Sequence, residues 1–411
     1  MREVISKQDL QARKTMSLIM GLLIMLFTGI LYMWSIFLPH VAEEFGWAPG
    51  DVGMTSSIMV AAFVLGNILS GLVQKKIPTR IIICTGCIMF AAGMFLTSLL
   101  NGGAPWMIYL TYGVLSGIGC GIAYNSVISV LQKWYMARNG LVTGLAVGSF
   151  GAATVILTPV VNILLEGSGV STTFMVLSFA FLIVGCGALV FINQPPVEYY
   201  LHGSSEANNG ANMKQYTPAE MVKTPMFYLI ILSTIVSTAP YIVIIPYIKT
   251  IAADRGISTG LAMATVMVTG VASASGRLIC PAISDKFSRS GIMIGCAIVT
   301  SVACVLMIFA KRGMYLAAVF LIAFTYGGGS GIQPVMSTEL FGARNSGANL
   351  GIILIGLAFS SITFGKIASA VGSASPEGFN IVFVICAAVS LISVAAMTML
   401  RKICRGLGKK I

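Results

Sequence analysis

The sequence predicts an all-α membrane protein with twelve transmembrane helices in two parallel six-helix repeats. Three observations carry this. Of 411 residues, 57% are hydrophobic and only 9% charged, with a mean hydropathy of +0.92, whereas a soluble domain is roughly 25% charged. Twelve apolar runs are each long enough to cross a hydrocarbon layer of about 30 Å, which takes about 20 helical residues. Short matches also recur between the two halves at nearly one offset.

The runs fall at 16–38, 52–73, 81–100, 106–131, 140–165, 172–192, 226–249, 260–283, 291–310, 314–337, 346–370 and 378–400. The first is too long for a signal peptide. No small-residue cleavage site follows it, and it contains Tyr32 and Trp34, so it reads as a retained helix. The formal net charge is +12, and its distribution excludes a nucleic-acid partner. With the N-terminus inside, 19 of the 25 Lys and Arg face the cytoplasm, among them Arg13, Lys14, Lys75, Lys76, Arg80, Lys133, Arg138, Lys286, Arg289, Arg344 and the tail Arg401–Lys410. Five face outward (Lys249, Arg255, Lys311, Arg312, Lys366), and Arg277 lies within a span. The positive-inside rule therefore orients both termini to the cytoplasm of the cell (inner) membrane. Eight of nine cysteines lie within spans and Cys404 in the tail, so no disulfide is expected. Cys84-x-x-Cys87 sits mid-span without the βαβ context of a redox motif.

The single long polar stretch, 193–225, divides the chain into an N-terminal half, 1–192, and a C-terminal half, 226–411. Leu38-Pro39 recurs as Ile245-Pro246 at offset 207. Lys76-Ile77 recurs as Lys286-Phe287 at 210, and Ala137-Arg138-Asn139 as Ala343-Arg344-Asn345 at 206. Together these indicate a parallel duplication. Two parallel repeats joined by a cytoplasmic linker describe the major facilitator arrangement, whose substrate site lies between the halves near the midplane.

Within the spans polar chemistry is sparse. Arg277, following Gly276 and eight residues before Asp285, lies roughly 12 Å into the membrane at 1.5 Å per residue. A charge there costs at least about 2.5–3.5 kcal/mol, so it is expected to face a wet cavity and meet an anion. The competing reading is a structural arginine paired with carbonyls. The planar guanidinium suits a carboxylate. No Asp or Glu lies in any of the twelve runs, which leaves a cation without a counter-charge and points to anion uniport or exchange. Tyr124 and Tyr326 stand deeper than belt tyrosines and can donate to a carboxylate or simply pack between helices. Tyr32, Trp34, Tyr241 and Tyr247 are further aromatic candidates, and Asn125, Gln333, Ser149 and Ser330 weaker polar ones. Asp254 and His40, near the outer ends of spans, are the candidates for a proton site or gate; solvated loop residues are the competing reading. Gly113, Gly117, Gly119 and Gly121 line the fourth span; Gly140, Gly144, Gly148 and Gly151 share one face of the fifth and predict close helix approach. The run Gly327, Gly328, Gly329, Gly331 reads as a bend in the tenth span. There is no nucleotide-binding loop, metal cluster or catalytic triad in the sequence, so neither an enzyme nor a cofactor is expected.

Several segments resemble the oxalate/formate antiporter family, related to the monocarboxylate transporters of the major facilitator superfamily. They are Leu31-Tyr-Met-Trp-Ser-Ile-Phe-Leu-Pro39 with Phe45-Gly46-Trp47, Gly119-Cys-Gly-Ile-Ala-Tyr-Asn125, Gln132-Lys-Trp134, Gly140-Leu-Val-Thr-Gly-Leu-Ala146, and Asp254-Arg-Gly-Ile-Ser258 with Gly276-Arg277 and Ser284-Asp-Lys286. The resemblance implies transport of small carboxylates, with Arg277 on the carboxylate and Tyr32, Tyr124 and Tyr326 lining the site. Oxalate-handling members carry a membrane lysine in helix 11; aligning Asn349-Leu350-Gly351 with their helix start puts Leu357 at or near that position. One cation then favours a monocarboxylate such as lactate, pyruvate or formate, carried by alternating access in exchange or with protons, by a protein functional as a monomer. A dicarboxylate exchanger is the rival in the same class, and a non-transporting membrane sensor the rival in another. Gln74-Lys-Lys-Ile-Pro78 lacks the acid and glycine usual in the superfamily's helix 2–3 loop, whereas Asp285-Lys286 is retained in the second half.

Overall fold

The computed structural model describes residues 7–47, 49–74, 76–103, 105–196, 214–372 and 377–407. Lys75, Lys409 and Lys410, and 197–213 of the linker, lie outside the described residues.

In a bilayer the backbone must satisfy its own hydrogen bonds, and an apolar helix is the simplest way to do so. The chain forms helix after helix. α1 runs Lys7–Thr28, tightens to a 3₁₀ turn over Gly29–Met33, and resumes over Trp34–Phe45. The Thr28 hydroxyl donates back to Ile24 O (2.9 Å) and Met25 O (3.0 Å), a back-bond that bends helices. α2 is Pro49–Val73, α3 Thr79–Ser98, and α4 Trp106–Trp134, with a π-helical stretch over Tyr109–Ser116. After the linker come α7 (Pro225–Ile244, continued by Ile245–Tyr247 and Ile248–Asp254), α8 (Thr259–Ser284), α9 (Arg289–Phe309) and α10 (Gly313–Phe341). α11 is split into Ser346–Ile353 and Ile355–Ile367, and α12 is Gly378–Gly406. Thr224, Ser258 and Ser288 cap α7, α8 and α9 by accepting from the N–H three residues on. In the linker Thr217 and Glu220 form a reciprocal capping box around Pro218–Met221.

Among the described residues, eleven helical stretches are long and apolar enough to span. One of them, Met136–Phe191, has 56 residues, about 84 Å at 1.5 Å per residue, too long for a single crossing. It is broken at Gly169, whose φ of 76° and ψ of 177° no helix contains. Glu44 Oε2 accepts from Val170 N at 2.7 Å there, capping the helix that follows. The stretch is therefore two crossings, α5 (Asn139–Ile156 and 158–168) and α6 (170–191), and the expected twelve are present. The last helix exceeds its expected end, taking in Arg401, Lys402, Cys404 and Arg405.

Two compact units result. The first comprises residues 1–142, 152–215 and 341–352; the second 143–151, 216–340 and 353–411. Each unit thus recruits a short piece from beyond the linker. Residues 341–352 enter the first because Asn125 Nδ2 donates to Gly347 O (2.8 Å) and because Gly71 and Gly351 admit the backbones of Ala348 and Asn67. Residues 143–151 enter the second because Gly144, Gly148 and Gly151 lie against Ala274, Arg277 and Leu278 of α8. The shared glycine face expected in the fifth span serves this approach.

Each unit contains a reciprocal glycine crossing of the same design. In the first, a Cβ on Gly66 would overlap the carbonyl oxygen of Ile118, and one on Gly121 that of Phe63. In the second, Gly276 is set against Phe324 O and Gly327 against Ser273 O in the same way. The α2 and α8 members are 210 residues apart and the α4 and α10 members 206 apart, the offsets found in the adjoining loops. Three glycines of the α10 run are closely packed: Gly327 at the crossing, Gly328 against Cys280 Sγ, and Gly331 against Pro281 and Arg277 O.

Alanine at Gly276 or Gly121 is expected to cost about 1–3 kcal/mol by overpacking, read as a lowered melting temperature of purified protein in detergent. Gly295→Ala, with nothing within 4 Å of the new methyl, is expected to be neutral or slightly stabilising.

Candidate functional site

The α8–α10 crossing fixes the surroundings of Arg277. Gly276 brings the two backbones together, and the residue after it is carried into the interior, 2% exposed. Its guanidinium carbon lies 5.7 Å from the ring centre of Tyr326, the residue before crossing glycine Gly327, and 5.8 Å from that of Phe150. Gly151 leaves the room needed: a Cβ there would sit 3.0 Å from Arg277 Nη1. Cation–ring contacts contribute about 0.5–2 kcal/mol each, a substantial share of the cost of a charge at this depth. Tyr326 stacks face to face on Tyr241 of α7, with centroids 3.9 Å apart and planes at 6°.

A polar recess adjoins Tyr326. Thr234, Ser237 and Thr238 of α7, Met293 of α9, and Thr325, Tyr326, Gly329, Ser330 and Gln333 of α10 line a small recess that is partly open to solvent. Gln333 Nε2 donates to Thr234 Oγ1 across it.

The structure thus brings Arg277, Tyr326 and Gln333 together in the second unit. Tyr32, Tyr124 and Asn125 belong to the first. Tyr124, 6% exposed, meets the edge of Phe63 with centroids 5.2 Å apart. Asn125 is fully buried, and its Nδ2 donates to Asn67 O (2.6 Å) as well as Gly347 O. Tyr32 is half-buried in the 3₁₀ turn of α1. His40 Nδ1 lies 3.2 Å from Ile36 O one turn below. Asp254 is exposed at the end of its helix. Its neighbour Arg255 turns to the carbonyls of Met307 and Ala310 and to Asn380 Oδ1 (3.1 Å), and burial pulls its pKa down, with Tyr315 and Asp254 opposing.

Two features escaped sequence reasoning. Asn67 is fully buried, with an Oδ1 that accepts no hydrogen bond among the described residues. The offset of 210, applied to Arg277, lands on it. At the end of α8, Arg289 binds Asp285 Oδ1 (2.6 Å), Glu339 Oε1 (2.7 Å), Ser284 Oγ (2.6 Å) and Pro281 O (3.2 Å). The retained Asp285 is the visible sign of that cluster; Glu339 gave none.

The sequence matches the Major Facilitator Superfamily over residues 17–286 and 230–403. The chain belongs to that superfamily. It is a secondary transporter and a multi-pass membrane protein, not an enzyme. Among relatives, it is 26% identical over 338 residues to an uncharacterized MFS-type transporter of Escherichia coli (strain K12), YhjX, covering 81% of this chain and 82% of that one. It is 23% identical over 390 residues to the oxalate:formate antiporter of Oxalobacter formigenes, covering 92% and 88%. Over 163 residues, 39% of this chain, it is 26% identical to monocarboxylate transporter 13 of Rattus norvegicus. The superfamily's proton:xylose symporter XylE superposes with a TM-score of 0.72 at 13% identity over 95% of each chain, which shows the fold.

Arg289→Gln removes the cation that two carboxylates share. It is expected to lower stability by about 2 kcal/mol, less than for a fully buried pair because the carboxylates are 20% and 27% exposed. Asp285→Asn is expected to cost less, and the two melting temperatures give the comparison.

Proposed function

We propose that this transporter carries small monocarboxylate anions of the lactate, pyruvate or formate type by alternating access. The observation that carries the reading is Arg277: a guanidinium at bilayer depth, buried between the Tyr326 and Phe150 rings beside a polar recess. Arginine grips a carboxylate with two parallel N–H donors where lysine offers one point charge. Tyr326 is within reach to supply a hydroxyl, and Tyr32, Tyr124 and Asn125 are the first unit's candidate ligands. The likeness to an oxalate:formate antiporter and to monocarboxylate transporters supports the substrate class. Leu357 stands at or near the place where a second cation would serve a dianion, which favours one carboxylate over two. The twelve apolar runs of the sequence hold no carboxylate, which favours exchange; proton coupling would rest on Asp254, His40 or the substrate itself. The halves 1–192 and 226–411 are the proposed moving parts. The excess of basic residues in one set of loops supports a cytoplasmic position for both termini in the cell (inner) membrane, and on this reading the protein acts as a monomer without a cofactor.

Purified protein in liposomes loaded with unlabelled lactate, pyruvate, formate or oxalate is expected to take up the labelled monocarboxylates by counterflow without a pH gradient. Accumulation that requires the gradient would establish symport instead, and oxalate uptake exceeding all three would overturn the monocarboxylate reading. Arg277→Ala is expected to cut counterflow about 100-fold, from the loss of charged hydrogen bonds of about 1.5–3 kcal/mol. Full transport by that variant would remove Arg277 from the site.

A further inference from the structure

The recess beside Tyr326 has a chemistry of its own. Thr234, Ser237, Thr238 and Tyr241 follow one another at three, four and seven residues, so they share one face of α7. Tyr326, Ser330 and Gln333 share a face of α10 by the same spacing. Contact between the faces is direct at both ends, through the Gln333–Thr234 hydrogen bond and the Tyr326–Tyr241 stack.

Most hydroxyls in the lining are used by their own helices. Thr234 Oγ1 donates to Ile230 O (2.8 Å), Thr238 Oγ1 to Thr234 O (2.8 Å), Thr325 Oγ1 to Leu321 O (2.9 Å) and Ser330 Oγ to Gly327 O (3.0 Å). Two groups are not. Among the described residues Ser237 Oγ makes no hydrogen bond, and Gln333 bonds only through Nε2, leaving its amide oxygen as an open acceptor. Gln333 is 8% exposed and lines the recess, and its amide oxygen can accept a hydrogen bond from a group lodged there. No lysine, arginine, histidine, aspartate or glutamate lines the recess. Its complement is therefore an uncharged hydrogen-bonding group: a hydroxyl, which can donate to the Gln333 amide oxygen and accept from Ser237, or an oxo group, which accepts from the serine hydroxyl and the second Gln333 N–H.

We propose that Gln333 and Ser237 form the subsite for an uncharged hydrogen-bonding substituent of the substrate, selecting hydroxy- and oxo-carboxylates over unsubstituted acids of the same size. The inference rests on the carboxylate reading above, with Arg277 on the charged end and Tyr326 shared by both parts. A site that hydrogen-bonds a substrate hydroxyl discriminates against the analogue lacking it because its own polar groups are then left unmet.

The test compares labelled lactate and labelled propionate, which differ by one hydroxyl, in counterflow by the full-length protein in liposomes. Wild type is expected to prefer lactate about tenfold or more in apparent affinity. Gln333→Leu, and separately Ser237→Ala, are expected to reduce the lactate-to-propionate ratio several-fold, toward unity. Ser237→Ala removes only one oxygen from a half-buried position, and propionate counterflow reports that each variant is folded. Wild type that handles the two acids alike, or variants that keep the wild-type ratio, would overturn the subsite while Arg277-dependent transport stands. Absence of counterflow with every carboxylate tested would overturn the underlying reading and the subsite with it.

Discussion

The closest approach of backbones at Gly276 and Gly327 is the constraint on which the second unit depends. Between two helices in lipid there is no hydrophobic gain from contact, because the tails are as apolar as leucine. What holds them is van der Waals packing at short range, which small residues permit. Once α8 and α10 are locked at that point, their neighbours have little freedom. Arg277 follows one crossing glycine and Tyr326 precedes the other, so the guanidinium and the phenol are delivered to one another by the packing that builds the unit. The first unit repeats the device at Gly66 and Gly121 with different side chains beside it.

The second unit also shows two ways of keeping an arginine away from water. Arg289, where α9 starts, is matched by Asp285 and Glu339 and by two further acceptors, so its charge is answered from within the protein. Arg277 is bordered by aromatic rings and glycines and lies beside a recess lined by hydroxyls and an amide. The first arrangement is what a structural arginine looks like. The second sets the cation against aromatic rings beside a polar recess, which is where the proposed reading puts the anion.

Length and apolarity made the twelve crossings legible, and the glycine spacing of α5 exposed a packing face that α8 fills. The repeat offsets, noticed in loops, reappear at the glycine crossings. What stayed hidden depends on contact rather than pattern. Gly169 lies in the short gap, 166–171, between the fifth and sixth apolar runs, but nothing in the sequence marks Glu44, 126 residues away, as the side chain that caps the helix after it. Thr234, Ser237 and Thr238 read as ordinary helical hydroxyls, and only the facing surface of α10 shows that they border a recess. Asn67 gave no signal alone. The glycines of α10 were legible as unusual but their use was not, since a glycine run serves bending and close packing equally well until its neighbours are known.

The same crossing has an electrical consequence. At corresponding places in the duplicated frame, one half carries the neutral Asn67 and the other the cationic Arg277. On the proposed reading, a bound monoanion cancels the charge of Arg277, and the loaded site moves through the membrane field with no net work. The empty carrier retains one positive charge, whose passage through the full field involves about 2.3 kcal/mol per 100 mV. A cycle that never returns empty is blind to the membrane voltage, whereas a uniport cycle would feel it on every return.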